Sequence, residues 1–235
     1  MENEQPYYFT LTTDIDYTTT TSFINTFCGV LDGDGHSIRM SDSSDGALIA
    51  ETSGDVTIRD LTIVQTAQEL AMLTVYANGD TDDEIIYENI TFESDAPTGT
   101  QHVACSYGAS QFGMQTSGKV TFRNCVNNVD YTIPGDTNTY GGIFIGNYIP
   151  QGVSSMISFI DCVNYGDING NQVGFFFGNS AQASGGIQLV NDPNFVNTET
   201  NRAAIYVSGC RNEGTITATQ KCDCLLYTSD AADDK

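Results

Sequence analysis

The chain has no tryptophan, two histidines and only eight lysines and arginines among 235 residues. Each scarcity excludes something. Thirty acids against eight bases leave a formal charge of −22, which repels polyanions, so neither nucleic acid nor an anionic membrane is an expected partner. Without tryptophan the usual sugar-stacking platform is missing, and the twelve tyrosines form no cluster that marks a groove. His36 and His102 are the only histidines available to activate a thiol nucleophile. His102 and Cys105 sit three positions apart on a strand pattern and so face opposite sides. No run approaches the roughly 18 apolar residues of a membrane span. No C-x-x-C or Cys/His spacing suits zinc. The opening "MENEQPYYFT" has neither a basic n-region nor an apolar h-region, so no secretory leader is expected within it.

What is abundant is Gly, Thr, Asn, Asp, Tyr, Phe and Ile, a composition of strands and turns. Five segments align without gaps: "VTIRDLTI" (56–63), "IIYENITF" (85–92), "VTFRNCVN" (120–127), "ISFIDCVN" (157–164) and "IYVSGCRN" (205–212). Each carries apolar residues at its first and third positions, the period-two signature of a half-buried strand. The fifth position is Asp60, Asn89, Asn124, Asp161 or Gly209, residue types that tolerate left-handed backbone and so predict a tight bend. Next come Leu61, Ile90, Cys125, Cys162 and Cys210, an expected interior stack. The last position repeats an amide in Asn127, Asn164 and Asn212.

A second strand-like unit precedes each segment: "GALIAE" (46–51), "AMLTVYANG" (71–79), "HVACSYG" (102–108), "GGIFIGN" (141–147) and "VGFFFGN" (173–179). The bend residues are 29, 35, 37 and 48 positions apart, so the strands are constant and the connecting loops vary. Such a pattern predicts an all-β, right-handed parallel β-helix of about five coils, each stacked roughly 4.8 Å beyond the last and touching only its neighbours. An antiparallel sandwich is the alternative, but it needs no repeated bend.

The stretch "YYFTLTTDIDYTTTTSFINTFCGVLDGDGHSIRM" (7–40), followed by "VTIRDLTI", resembles the opening of right-handed β-helix proteins of the pectin-lyase-like class. "GGIFIGN" and "DCVNYGDING" resemble GLUG-type repeats of surface proteins, with "GGIFIG" one residue longer than the usual unit. Residues 224–235, "CLLYTSDAADDK", resemble the in-frame translation of a sequencing-library adapter. The expected organisation is an N-terminal strand or cap region over 1–45, repeats over 46–223 with an extruded loop near 179–204, and a non-native tail over 224–235, so that the solenoid is truncated at its C-terminal end.

Three cysteines at one repeat position imply a shared structural cause, and buried, reduced thiols are expected. Vertical neighbours at the ideal spacing fit relaxed disulfide geometry poorly. "LDGDGHSI" (31–38) contains Asp32, Asp34 and Gly35 but lacks the full calcium-loop pattern, and reads as a turn. Asp80, Asp82, Asp83 and Glu84 form an acidic loop that is at most a weak Ca²⁺ site; no other cofactor is expected. Arg59 and Arg123 share the fourth position and are expected to pair with acids on an outward column. The resemblance raises β-helix polygalacturonases, but "TDD" (81–83) and "DGHS" (34–37) stand without the Gly-His-Gly and Arg-x-Lys motifs of those enzymes. No catalytic residue is assigned. The expected function is a non-catalytic, secreted or cell-surface solenoid with a structural or adhesive role, with glycans or cell-surface ligands as partners. The alternatives are a lyase or hydrolase acting on acidic glycans and a phage or viral spike-like fibre.

Overall fold

The computed structural model describes residues 6–17, 24–40, 47–66, 72–78, 82–96, 102–103, 112–133, 140–148, 154–176, 187–199 and 202–221. Among the described residues the regular structure is all strand, and every strand pairing is parallel. Sixteen strands join one sheet and five join a second.

The five aligned segments pair in the register that the gapless alignment predicts. Val56 lies beside Ile85, Ile85 beside Val120, Val120 beside Ile157, and Ile157 beside Ile205. Two more levels continue this column toward the N-terminus: Gly29 pairs with Val56, and Tyr7 with Gly29. The gapless alignment misses both. Between Asp32 and Ser37 the chain holds two more residues than between their partners Arg59 and Thr62, because "GDGH" makes a wider turn. In that turn Asp34 and Gly35 have φ of 48° and 79°, so "LDGDGHSI" is a turn between strands.

Alternation turns one face of each strand inward. Val56, Ile58, Ile85, Tyr87, Val120, Phe122, Ile157, Phe159 and Ile205 are all buried. The third position builds an aromatic stack, with Tyr87 and Phe122 centroids 5.0 Å apart and Phe122 and Phe159 5.2 Å apart, each pair at 7°. Phe112 and Phe144 face it from neighbouring segments, with Phe144 edge-on to Phe122 at 5.2 Å and to Phe159 at 5.3 Å. Pairs of this kind are worth about 0.5–1.5 kcal/mol each beyond their buried area.

The other strand units divide differently from the sequence pattern. Ala47 and Ile49 pair with Met72 and Thr74, as "GALIAE" and "AMLTVYANG" suggest. The next strand in that column is Gly113–Ser117, with Gly113 beside Thr74 and Ile145 beside Gly113. His102–Val103, from "HVACSYG", belongs instead to the five-stranded sheet, where His102 pairs with Tyr131, Tyr131 with Ile168, and Ile168 with Ile216. Within the segment expected as an extruded loop, Ile187–Val190 is a strand lying parallel to Ala203–Ser208 on its outer side. The following segment folds back, and Asn197 Nδ2 donates to the Ser155 carbonyl at 3.0 Å.

Candidate functional site

The repeated Asx–Cys–x–Asn unit gathers an acid or amide, a thiol and a second amide within four residues, and each group has a defined place among the described residues. Asp60, Asn89, Asn124 and Asp161 have φ between 51° and 54°, and Gly209 has φ 66°. These residues form a solvent-facing column in which Asn89 Nδ2 donates to Asp60 Oδ1 at 2.7 Å and Asn124 Nδ2 to Asn89 Oδ1 at 3.1 Å. A carboxylate has no N–H to give, so Asp60 ends this chain of donors. Asp161 Oδ1 fills the space beside Gly209, where an added Cβ would fall 1.9 Å from it.

Immediately inward, Leu61, Ile90, Cys125 and Cys162 are buried, while Cys210 is half-buried and packs against the core. The thiols are unbridged. Cys125 Sγ lies 3.4 Å from the Arg123 carbonyl, Cys162 Sγ 3.4 Å from that of Ile160, and Cys210 Sγ 3.5 Å from that of Ser208. Each thiol thus donates back across its own bend. The hydrogen bond with the Cys125 thiol, then burial, push Cys162 well above the ordinary thiol range; the Cys162 thiol does the same to Cys210. A thiol held neutral is a poor nucleophile and a poor metal ligand. Cys105 and Cys222 lie outside the described residues.

Two positions further on lies the feature that the sequence shows only as an equivalence. Asn127 and Asn164 are fully buried. Asn127 Nδ2 donates to Asn164 Oδ1 at 2.7 Å, and Asn164 Nδ2 to Asn212 Oδ1 at 2.6 Å. Each amide also closes the turn that follows it. Asn127 bridges Val129 N–H and C=O, Asn164 bridges Gly166 N–H and C=O, and Asn212 donates to the Gly214 carbonyl. This ladder runs toward the C-terminal end, opposite in polarity to the bend column. In the two N-terminal neighbours of the column, Phe92 and Ile63 occupy the same place.

Arg59 and Arg123 lie on an outward column of alternating charge: Asp32, Arg59, Glu88 and Arg123 are consecutive register partners. Arg59 Nη2 lies 2.7 Å from Asp32 Oδ2, and Arg123 Nη1 lies 3.2 Å from Glu88 Oε1. The Arg59 hydrogen bond, followed by the Asp34 backbone N–H, holds the Asp32 carboxyl below the ordinary carboxylate value.

Of the acidic loop, Asp80 lies outside the described residues and Asp82 is exposed. Glu84 faces Lys119 Nζ at 2.9 Å. Among the described residues no three metal-ligating side chains converge. His102 is buried, with Nε2 2.7 Å from Ser94 Oγ, a contact between positions eight apart that the repeat pattern does not mark. An open groove beside the bend column is lined by Asp34, Gly35, Asp60, Leu61, Thr62 and Asn89.

The unit at 161–164 is therefore a set of fixed scaffold contacts. Asp161 is a bend, Cys162 an interior filler bonded to backbone, and Asn164 a ladder rung. Compared with family models, curated proteins and solved structures, the chain matches none.

Proposed function

We propose that the protein is a right-handed parallel β-helix of the pectin-lyase-like kind, secreted or displayed on a cell surface, whose role is mechanical and adhesive. The observation that carries the proposal is the use of the repeated polar groups: the acid, thiol and amide of successive levels bond to backbone or to one another. Seven levels in parallel register, continuous apolar columns between them and a dense acidic surface suit a stiff, soluble rod with variable loops for contact. GLUG-like repeats are the subfamily that the strand pattern favours, and glycans or cell-surface ligands are the proposed partners.

The test is a pair of assays on the full chain. Immobilised protein is expected to retain glycans or cells presented in flow, while pectin and alginate incubated with it, with and without Ca²⁺, show neither new unsaturated ends nor new reducing ends. Turnover of either polymer overturns the non-catalytic reading. Trimers in sedimentation would point to a spike-like fibre.

A further inference from the structure

Between Ile187–Val190 and Ala203–Ser208 the chain carries chemistry that the repeat does not use. Ile187–Val190 comes first in sequence yet lies on the outer side of Ala203–Ser208. The chain after it therefore turns back, and Asn197 reaches Ser155, which flanks Ala203 on the other side. In that turn stands the sequence's one Asp–Pro bond, Asp192–Pro193. Asp192, Pro193 and Asn194 are all exposed.

The turn fixes both reacting groups of Asp192. Phe195 N–H donates to the Asp192 backbone carbonyl at 3.1 Å, and Asn194 N–H to the Asp192 side-chain Oδ1 at 2.9 Å. Anchors on either side hold this arrangement. Two residues before Asp192, Val190 ends a strand in register with Ala203–Ser208. Two residues after Phe195, Asn197 Nδ2 donates to the Ser155 carbonyl at 3.0 Å and to the Arg202 carbonyl. The nearby cations are engaged elsewhere: Lys119 Nζ with Glu84 at 2.9 Å and Arg202 Nη1 with Glu199 at 3.1 Å. Among the described residues no cation pairs with the Asp192 carboxyl, so none opposes its protonation.

We propose that Asp192–Pro193 is a self-cleavage site, at which the protein cuts its own chain in mildly acidic surroundings and remains assembled as two pieces. The side-chain carboxyl oxygen of Asp192 attacks the backbone carbonyl carbon of the same residue. The carbonyl electron pair moves onto its oxygen, which the Phe195 N–H already faces at the distance that stabilises an oxyanion. When the carbonyl re-forms, the C–N bond breaks, and the Pro193 nitrogen takes the carboxyl proton and leaves as a secondary amine. A cyclic anhydride remains on Asp192, and one water opens it to two carboxyl groups. Proline also blocks the competing route. Its nitrogen carries no hydrogen, so it cannot close on the side-chain carboxyl to give an imide.

The cut leaves the stack joined. On the C-terminal piece, Ala203–Ser208, Arg211–Asn212 and Ile216–Lys221 keep their parallel partners Ser155–Ile160, Val163–Asn164 and Ile168–Gly174 on the other piece. Ile187–Val190 still covers Ala203–Ser208.

The test follows the full-length protein by intact mass at about pH 5, where a fraction of ordinary aspartyl carboxyls carries a proton. The peptide "LVNDPNFVN" (189–197) is incubated beside it. Pieces ending at Asp192 and beginning at Pro193 are expected, formed about tenfold or more faster in the protein than in the peptide, because the turn pre-orients the reacting groups. They should co-elute in native buffer and separate in denaturant. Asp192→Glu keeps the charge but lengthens the side chain, and Pro193→Ala restores an N–H. Each is expected to slow cleavage about tenfold or more by misplacing the nucleophile or changing the leaving group. Both positions are exposed, so folding is not at issue. An uncut chain, a rate in the protein no greater than in the peptide, or undiminished cleavage of Asp192→Glu overturns the proposal. Pieces that separate without denaturant overturn its second half.

Discussion

Asn127 donates a side-chain hydrogen bond to Asn164 across 2.7 Å in the dry interior, and both residues also close their own turns. One amide thus serves two levels of the stack. Replacing Asn164 by leucine would strand an N–H of Asn127, the N–H and C=O of Gly166, and Oδ1 of Asn212. A loss of about 2–5 kcal/mol is expected, since each buried group left unpaired costs roughly 1–3 kcal/mol. Urea unfolding would show this as a lower midpoint at unchanged slope. Asn124→Gly is the contrast. That residue is exposed, its positive φ suits glycine, and the substitution removes only its solvent-exposed bond to Asn89, so a change under about 1 kcal/mol is expected.

Gly209 carries two demands that can be separated. Its φ of 66° disfavours any side chain, and Asp161 Oδ1 occupies the place of a Cβ. Gly209→Ala is expected to destabilise the fold by more than the roughly 1–2 kcal/mol of a left-handed alanine. Adding Asp161→Gly removes the contact, and the double variant should then retain only the conformational cost. An equal loss in both backgrounds would show that Asp161 does not crowd this site.

Alkali should weaken the protein from about pH 9. The neighbouring thiol and burial raise Cys162, and burial raises Tyr87 and Tyr131, with the Thr74 hydroxyl partly offsetting the effect at Tyr87. Below 9.0, folded and unfolded thiols are both protonated and the contribution is complete. As pH rises through 9.0, and through 10.0 for the phenols, the unfolded chain alone loses protons. Stability then falls by up to about 1.4 kcal/mol per pH unit for each group. Thermal unfolding between pH 7 and 11 measures the slope; a flat profile contradicts the burial of these three groups.

Maleimide labelling separates the thiols by depth. Cys125 and Cys162 should react only after denaturation, whereas Cys210, half-buried but with its thiol held neutral by its Cys162 neighbour, should react slowly in the native protein. Mass spectrometry of labelled peptides distinguishes the three, and rapid native labelling of Cys162 would contradict its place in the interior.

The charged column is expected to matter little. Arg123→Ala should change stability by under about 1 kcal/mol, less in high salt. Asp32, with its carboxyl held down by Arg59, contributes stability that is complete above its unfolded value of 3.8 and lost as pH falls through the folded one. Acid titration at low and high salt measures it, with the smaller loss expected at high salt.

The strands and bends of the five segments were legible because the same two local rules, apolar alternation and a left-handed residue at the fifth position, act at every level. Gly29–Asp32 escaped because "GDGH" inserts residues at the bend and shifts the frame, and Tyr7–Thr10 because "LTTD" does so at its own bend. Gly113–Ser117 and Ile187–Val190 escaped for a different reason. Their pairing is set by tertiary neighbours: Gly113–Ser117 lacks the apolar alternation, and Ile187–Val190 has it but is followed by Asp192 where the repeat places an apolar residue or a thiol. The aromatic interior was half visible: Tyr87, Phe122 and Phe159 fall at the repeated third position, but Phe112 and Phe144 lie outside the five aligned segments. As for the chemistry, the recurrence of Asn127, Asn164 and Asn212 marked a common role. Burial and the direction of donation emerge only when the levels are stacked.

The central claim is that the Asx–Cys–x–Asn unit is a rung of the scaffold, and the amide ladder tests it most directly. In nitrogen-15-labelled protein, the account predicts side-chain amide protons of Asn127 and Asn164 that exchange slowly with solvent. It also predicts scalar couplings across the hydrogen bonds from Asn127 to Asn164 and from Asn164 to Asn212. Rapid exchange of the Asn164 amide, with no coupling to Asn212, would contradict it.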